Sequence, residues 1–284
     1  MRDPFRIEGP AVISFSGGRT SGYMLWRILQ AHGGGGLPDD VRVMFANTGK
    51  EMPETLNFVQ ECSERWNVPI TWVEYRTGRK TAVVDYLTAS RKGEPFEELI
   101  TEKNFLPNPV ARICTVEMKI LTIERYLKSN GWTDWDNAVG IRADEPRRLA
   151  KIRANPSDGR KGVTRFAPLG EAGTAVAEVG AFWGKQPFDL RLPNMNGKTM
   201  HGNCDLCFLK GAKQIQSLIN EQPARAIWWM EQESRIHSKG QIKGDAGRFR
   251  SDRPSYKTMY EAALNQVEMF KFDDDALEDC SCTD

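Results

Sequence analysis

The sequence predicts an α/β fold: a doubly wound, mostly parallel sheet in a Rossmann-like α/β/α sandwich, with a cysteine-bearing C-terminal elaboration. Three observations carry this. Short apolar runs bounded by turn residues alternate with segments of helical periodicity. The helical segments are long enough to be crossovers, which parallel neighbours require. Most of the cysteines gather late in the chain, as Cys204, Cys207, Cys280 and Cys282.

Ala11-Val12-Ile13-Ser14-Phe15 reads as a buried strand between Pro10 and the Ser16-Gly17-Gly18 turn. Met24, Leu25, Ile28 and Leu29 then share one helical face, which the Gly33 to Gly36 run ends. Val41 to Ala46 is a second strand, stopped by Asn47-Thr48-Gly49, and Pro53 suits the first turn of a helix striped by Leu56, Val59, Cys62 and Trp66. Ile70 to Tyr75 completes a β-α-β-α-β order. Thr81 to Ser90 and Cys114 to Lys128 read as helices, the second with Val116, Ile120, Ile123 and Leu127 as its stripe and Asn130-Gly131 as its stop. Ala138 to Ile141 is a short strand ending at Arg142. From about Pro156 the composition shifts to glycine, proline and basic residues, so the chain divides into 1–155 and a C-terminal elaboration, 156–284. Within the latter, Glu261 to Phe272 reads as helix and the stretch after Lys271 carries only acidic charge. Trp228, Trp229 and Phe182-Trp183 fit core-facing positions.

A chain of 284 residues with 40% hydrophobic content can bury about three quarters of its unfolded surface without needing disulfides. Its net charge of +1 excludes a wholly basic nucleic-acid binder but not a local patch. No window approaches 18 consecutive apolar residues and Met1 to Pro10 is too polar for a signal core, so the expectation is a cytoplasmic protein with no membrane partner. In that compartment cysteines act as metal ligands, catalytic thiols or core residues rather than disulfides. Cys62, on a core stripe, is read as packing.

Ser16-Gly17-Gly18-Arg19-Thr20-Ser21-Gly22 joins a strand to a helix start, where backbone amides and the helix dipole favour an anion. The glycines admit phosphate oxygens to the backbone, the hydroxyls of Ser16, Thr20 and Ser21 add donors, and Arg19 adds charge. Tyr23-Met24 stands where a Walker A loop needs Lys and Ser/Thr, and Arg19 where the dinucleotide fingerprint needs its second glycine, so neither motif applies. Ligands of open parallel sheets lie beyond the carboxyl ends of strands, which adds Asn47, Thr48, Gly49 and Arg142, with Arg148 and Lys119 directed to the same crevice.

The loop resembles the Ser-Gly-Gly-x-Asp-Ser pyrophosphate loop of the adenine-nucleotide alpha-hydrolase superfamily. Further segments resemble its phosphoadenosine phosphosulfate (PAPS) reductase branch. These are Val43 to Gly49 with Glu51 and Pro53-Glu54-Thr55, Arg112-Ile113-Cys114-Thr115 with Lys119, and Gly140-Ile141-Arg142 with Glu145 and Arg148, all within roughly residues 10 to 210. The resemblance implies an adenylyl-nucleotide ligand, ATP or PAPS, bound by the 1–155 domain. Two residues depart from the pattern: Thr20 and Asn47 replace aspartates, which removes carboxylates that a Mg²⁺-assisted cleavage of ATP would use.

Cys204-Asp205-Leu206-Cys207 and Cys280-Ser281-Cys282 have spacings that let two thiolates reach one metal. One set is Cys114, Cys204, Cys207 and a tail cysteine, with Cys280 as the fourth ligand; the resemblance favours a [4Fe-4S] cluster, while zinc, with His201 as a nitrogen ligand, and a Cys204/Cys207 redox dithiol stay open. The family also ends in a segment whose cysteine attacks a sulfonate sulfur, so Cys280 and Cys282 are the catalytic candidates. The basic stretch 235–257, with His237, Phe249 and Tyr256, is a candidate tRNA or DNA surface. Three functions follow as expectations. One is reductive release of sulfite, served by a redox partner such as thioredoxin; one is ATP-dependent thiolation of a tRNA or DNA base; one is a nucleotide-binding regulator without catalysis.

Overall fold

A computed structural model describes residues 3–34, 36–195, 197–238 and 247–265. Its centre is a six-stranded sheet in the order β4-β3-β2-β1-β5-β6. The strands are β1 (Ala11–Ser14), β2 (Val41–Asn47), β3 (Ile70–Glu74), β4 (Ala82–Val84), β5 (Trp135–Val139) and β6 (Val163–Phe166), and only the β3–β4 pair is antiparallel. The chain builds outward from β1 to β4 and then returns to place β5 on the other side of β1. The point where the winding reverses is therefore between β1 and β5, with Ile13 in register with Val43 on one side and Ala138 on the other.

Alternation along the strands feeds two cores. Ile13, Val43, Phe45 and Trp72 pack under α1 (Arg19–Ala31) and α2 (Pro53–Arg65). Val12, Met44, Ala46 and Val73 face Leu127 of α4 (Leu121–Ser129). Fully burying such a side chain contributes roughly 1.5–3 kcal/mol relative to leaving it exposed. A third core lies at the strand ends, where Phe96 and Leu99 of α3 (Glu94–Lys103) meet Cys204, Cys207, Phe208, Trp229, Phe249 and Tyr256. The remaining elements are a π-helix at Cys114–Ile120, α5 (Pro146–Ala154), α6 (Pro168–Glu171), α7 (Val176–Trp183), a small hairpin of β7 (Asn194–Met195) and β8 (Lys198–Thr199), α8 (Ala212–Glu221), a 3-10 helix at Pro223–Arg225, α9 (Ala226–Ser238) and α10 (Tyr256–Leu264). Trp183 and Trp229 are core residues, as expected. Among the described residues no helix is long and apolar enough to cross a membrane.

Four expectations are corrected. The predicted 81–90 helix is instead the edge strand β4 and a turn, because Asp85 Oδ1 accepts from the amides of Leu87 and Thr88 and closes the chain on itself. The 114–128 segment is helical as predicted, but its buried stripe is not the predicted one: Cys114–Ile120 is π-helical, which adds a residue to the turn, so Val116 faces water at 46% exposure while Met118 is sealed. The short strand expected at Ala138 to Ile141 is β5, which starts earlier, at Trp135, and ends earlier, at Val139, since Asp136 and Asn137 interrupt the apolar run, and β6 extends the sheet past residue 155. Finally, α10 begins at Tyr256, where the Ser255 hydroxyl accepts the Thr258 amide at 3.1 Å. The acidic tail with Cys280 and Cys282 lies outside the described residues.

Candidate functional site

The glycine turn is built by close approach. Gly17 has φ +77°, and a Cβ there would sit 2.6 Å from Thr55 Cγ2. Ser21 ties the turn together: its hydroxyl accepts from the Ser16 amide at 3.2 Å and the Gly18 amide at 3.3 Å, and donates to the Gly18 carbonyl at 2.9 Å. The turn thus delivers the first-turn amides of α1, which have no intrahelical acceptor, to the end of β1.

Arg142 closes this cradle from the far side of the winding reversal. Leaving the end of β5, it donates from Nη1 to Thr20 Oγ1 at 3.0 Å and from Nε to Asp144 Oδ1 at 2.9 Å, while its own amide bonds to Glu145 Oε2 at 2.9 Å. Glu145 also holds Arg148. The resulting cavity is lined by Ser16 to Ser21, Gly140, Arg142, Arg148, Lys210 and Asn203. The expected anion contacts at Ser16, Gly17, Gly18, Thr20, Ser21, Arg142 and Arg148 therefore share one cavity. The Thr20 hydroxyl oxygen thus accepts from the Arg142 guanidinium.

Arg19 does something else. The residue is 8% exposed, and its guanidinium bonds Asp189 in fork geometry at 2.7 and 2.5 Å, Thr199 Oγ1 at 2.9 Å and the Leu192 carbonyl at 2.9 Å. It clamps the segment from Asp189 to Thr199 beside the turn and has no fork left for a phosphate. No local signal could have assigned it, because its partners lie about 170 residues on.

Asn47, Thr48 and Gly49 are also structural. Asn47 is wholly buried, donating to Glu74 Oε1 at 2.6 Å and the Ser90 carbonyl at 2.9 Å, and its Oδ1 accepts the Gly49 amide at 3.1 Å. Thr48 bonds Glu51 through its amide at 2.9 Å and its hydroxyl at 2.8 Å. None of the three lines the cradle or the slot next to it. They support the cysteine loop instead: Glu51 and Cys204 form an isolated antiparallel bridge, the Asp205 amide donates to the Lys50 carbonyl at 2.8 Å, and Lys50 Nζ lies 3.1 Å from Asp205 Oδ2.

A second cavity opens from the first, sharing Ser16 and Asn203. It is a slot between the sheet and the helical segment 114–124, with Ser14, Met44, Ala46 and Asn137 on the sheet side and Thr115, Lys119 and Ile123 opposite. Lys119 reaches it as expected. Ser14 Oγ donates to Asn137 Oδ1 at 2.7 Å across β1 and β5. Glu51 lies at its edge, where burial pushes its carboxyl above the usual range against the opposing pull of Lys119 and Thr48.

The cysteines divide as predicted in one respect. Cys62 is fully buried and burial pushes its thiol well above the ordinary range, so it serves packing. Cys114 packs against the core cluster that contains Cys204 and Cys207. Among the described residues, however, no three cysteine, histidine or acidic side chains are placed to hold a metal ion. His201 directs Nε2 to Glu221 Oε2 at 2.8 Å. The three described thiols do not by themselves fit a cluster or a zinc site, and Cys280 and Cys282 lie outside the described residues.

The 235–257 stretch does not present its aromatics. Phe249 is fully buried, and Tyr256, 1% exposed, donates to the Leu206 carbonyl at 2.6 Å. Arg253 donates to the Lys210 carbonyl at 2.8 Å, Arg235 bonds Glu97 and Arg250 bonds Asp252. Base stacking on Phe249 or Tyr256 is thus closed off by their place in the third core. The side chain of His237 and residues 239–246 lie outside the described part.

Comparison with known proteins follows the same lines. The family model of the phosphoadenosine phosphosulfate reductase domain matches residues 10–172. The uncharacterized nin region protein ORF290 of Escherichia phage lambda is 31% identical over 217 residues, covering 72% of this chain and 67% of that protein. An uncharacterized protein of Methanocaldococcus jannaschii is 27% identical over 140 residues, 49% of this chain, and the match spans 24% of its length. A crystal structure of PAPS reductase from Candida auris in a phosphate complex aligns with a TM-score of 0.40 and 16% identity, over 65% of this chain and 79% of that one.

Proposed function

Because the chain belongs to the phosphoadenosine phosphosulfate reductase domain family, we propose that it binds an adenylyl nucleotide and acts on a sulfonucleotide through a cysteine thiol. The phosphates occupy the cradle of the glycine turn and the nucleoside enters the slot. The observation that supports this is the Arg142–Thr20 bond, which joins the β5 end to the turn as one anion site continuous with an apolar cavity. Thr20 and the buried Asn47 favour a sulfonucleotide over ATP, since neither supplies a carboxylate for a divalent cation.

In the proposed reaction a thiolate attacks the sulfonate sulfur; the S–O bond to the phosphate breaks and its electron pair leaves with the nucleotide. A second thiol then attacks the protein sulfur of the thiosulfonate, sulfite departs with the bond pair, and a disulfide remains for an external dithiol of the thioredoxin type to reduce. Cys280 and Cys282 are the candidates for the attacking thiol. A [4Fe-4S] cluster or zinc on Cys114, Cys204, Cys207 and Cys280 stays a proposal, checked by iron, sulfide and zinc analysis of anaerobically purified protein.

The test is turnover. Sulfite release from PAPS with a dithiol reductant, lost in Arg142→Ala, is the expected result. Pyrophosphate release from ATP that needs added tRNA or DNA would replace this reading with base thiolation. Nucleotide binding with neither activity would replace it with a regulator. Undiminished ATP and PAPS binding in both Gly17→Ala and Arg142→Ala would refute the site itself.

A further inference from the structure

The stretch 142–165 carries eight cations against three carboxylates, and the fold shows where the surplus stands. All three acids are taken: Asp144 by Arg142, Glu145 by Arg148 and Asp158 by Arg165. Arg160 is turned toward Glu124, at 3.9 Å. Four cations remain, Arg147, Lys151, Arg153 and Lys161. Each is exposed, and among the described residues none has a side-chain hydrogen bond or ion pair.

Their placement is set by α5. Leu149 and Ile152 turn one side of this helix into a small core with Val139, Ile141 and Ala167. Residues four apart share a helix face, so Arg147 and Lys151 stand together on the outer side, beside the exposed methyls of Ala150 and Ala154. Lys161 continues the row past the turn that leads into β6, an edge strand of the sheet. The other end of the row starts at the rim of the cradle, which Glu145 and Arg148 line. Helix stability accounts for only part of this. Lys151 and Arg153, in the last turn, suit the negative end of the helix dipole, whereas Arg147 stands at the positive end, in a first turn without an acidic residue. What a fixed row of unpaired cations gains is the attraction of an extended anion.

We infer that the outer face of α5, extended by Lys161, is a docking surface for the phosphate backbone of a duplex nucleic acid. Residues 147–161 include no aromatic side chain, so the face has no ring for the splayed bases of a single strand to stack on, whereas a duplex keeps its bases inside and presents phosphates. It has no exposed large apolar side chain for a lipid surface either, since Leu149 and Ile152 are buried. The alanines between the cations let a backbone come close. In the 235–257 stretch, by contrast, Arg235, Arg250 and Arg253 are held by Glu97, Asp252 and the Lys210 carbonyl. This surface does not depend on what the cradle binds.

The experiment is fluorescence anisotropy of a labelled DNA duplex of about 20 base pairs with the full chain, between about 20 and 200 mM salt. Four phosphate contacts give an expected slope of log K against log salt of about −3 to −4. The double variant Arg147→Ala/Lys151→Ala should reduce that slope by about 2 and weaken low-salt binding by about tenfold or more, alike for unrelated sequences. Arg79→Ala/Lys92→Ala removes the same charge from the two sides of β4, at the opposite edge of the sheet, and should leave the slope in place. In the other direction, Ala150→Lys adds a cation to the docking face and should tighten binding and steepen the slope by about 1. A single strand of equal length should bind less tightly, and polyglutamate of equal charge should not compete. Absence of duplex binding at low salt, or affinities unmoved by both Arg147→Ala/Lys151→Ala and Ala150→Lys, overturns the proposal. Tighter binding of the single strand overturns the duplex as occupant, and equal competition by polyglutamate overturns it in favour of an acidic protein.

Discussion

At the scale of single residues, two arginines next to one turn have opposite duties, and geometry separates them. Arg142 is anchored at Nε by Asp144 and directs its other edge across the winding reversal to Thr20. Arg19 is spent on Asp189, Thr199 and Leu192. Their sequence contexts were equally suggestive, since both follow a strand end, but only the fold shows that the partners of Arg19 lie in the Asp189 to Thr199 segment while Arg142 reaches the turn itself. Arg19→Ala should therefore act on stability more than on the anion site directly. Because the Asp189 side chain is 36% exposed, the cost is that of a partly solvated pair plus a carbonyl bond, about 1–2 kcal/mol. Urea denaturation measures this, and faster proteolysis near the β7–β8 hairpin should accompany it. Unchanged stability with a selective loss of nucleotide affinity would show that Arg19 serves the ligand after all.

At the scale of elements, what periodicity could read was the set of helices and strands with one uniform repeat. The α1 and α2 stripes and the three strands β1 to β3 were legible because their apolar spacing matches their geometry. The π-helical stretch was not: a stripe through Val116 assumes 3.6 residues per turn, and one extra residue puts Met118 inward instead. Contact between elements was equally hidden. Gly22 on α1 makes room for α7, since a Cβ there would lie 2.7 Å from Trp183 Cζ2 and 3.1 Å from Phe58 Cζ. Gly22→Ala should destabilise by about 1–3 kcal/mol through overpacking, seen as a lower Tm and altered tryptophan fluorescence. On α9, Glu233 joins two later segments by accepting the Phe249 and Tyr256 amides at 3.2 and 3.1 Å. Burial is the largest influence on its carboxyl and raises its pKa, with those amides opposing. A folded pKa above the unfolded one favours the native state at low pH and weakens it as pH rises through the folded value. The stability of Glu233→Gln relative to the wild type should thus increase as pH rises from about 4 to 8, as guanidinium midpoints would reveal. A difference that is flat with pH would contradict the assignment.

At the scale of the whole molecule, the alternation of strands and helices made the α/β architecture legible, but the division near residue 155 was not where the structure changes character. The sheet continues to β6, and the third core draws on both sides of any such line, pairing Phe96 and Met118 with Phe208, Trp229 and Tyr256. The Cys-Asp-Leu-Cys segment was read for its thiols, whereas its aspartate organises the junction. Asp205 accepts from Trp229 Nε1 at 2.9 Å and from the Leu206 amide at 2.8 Å, and it pairs with Lys50, whose ammonium lies 4.9 Å from the Trp228 ring centroid. Both charges of that pair are at least nine-tenths buried. Asp205→Ala would strand the Lys50 ammonium and should cost about 3–5 kcal/mol, measurable by urea denaturation. A loss under about 1 kcal/mol would place the pair in the class of solvated surface bridges.

The Glu51–Cys204 bridge and the shared third core also bear on how this protein can be handled and varied. A piece ending at residue 172, where the family match stops, would retain the glycine turn and Arg142 yet leave Tyr75, Phe96, Leu99, Ile100 and Met118 without the residues that cover them. That is an adhesive apolar surface on an otherwise complete sheet, the kind that drives self-association. The part of the chain that carries the anion cradle therefore cannot be exchanged as a cassette between relatives unless the 200–264 segment travels with it, and substitutions in either part are constrained by the shape of the other.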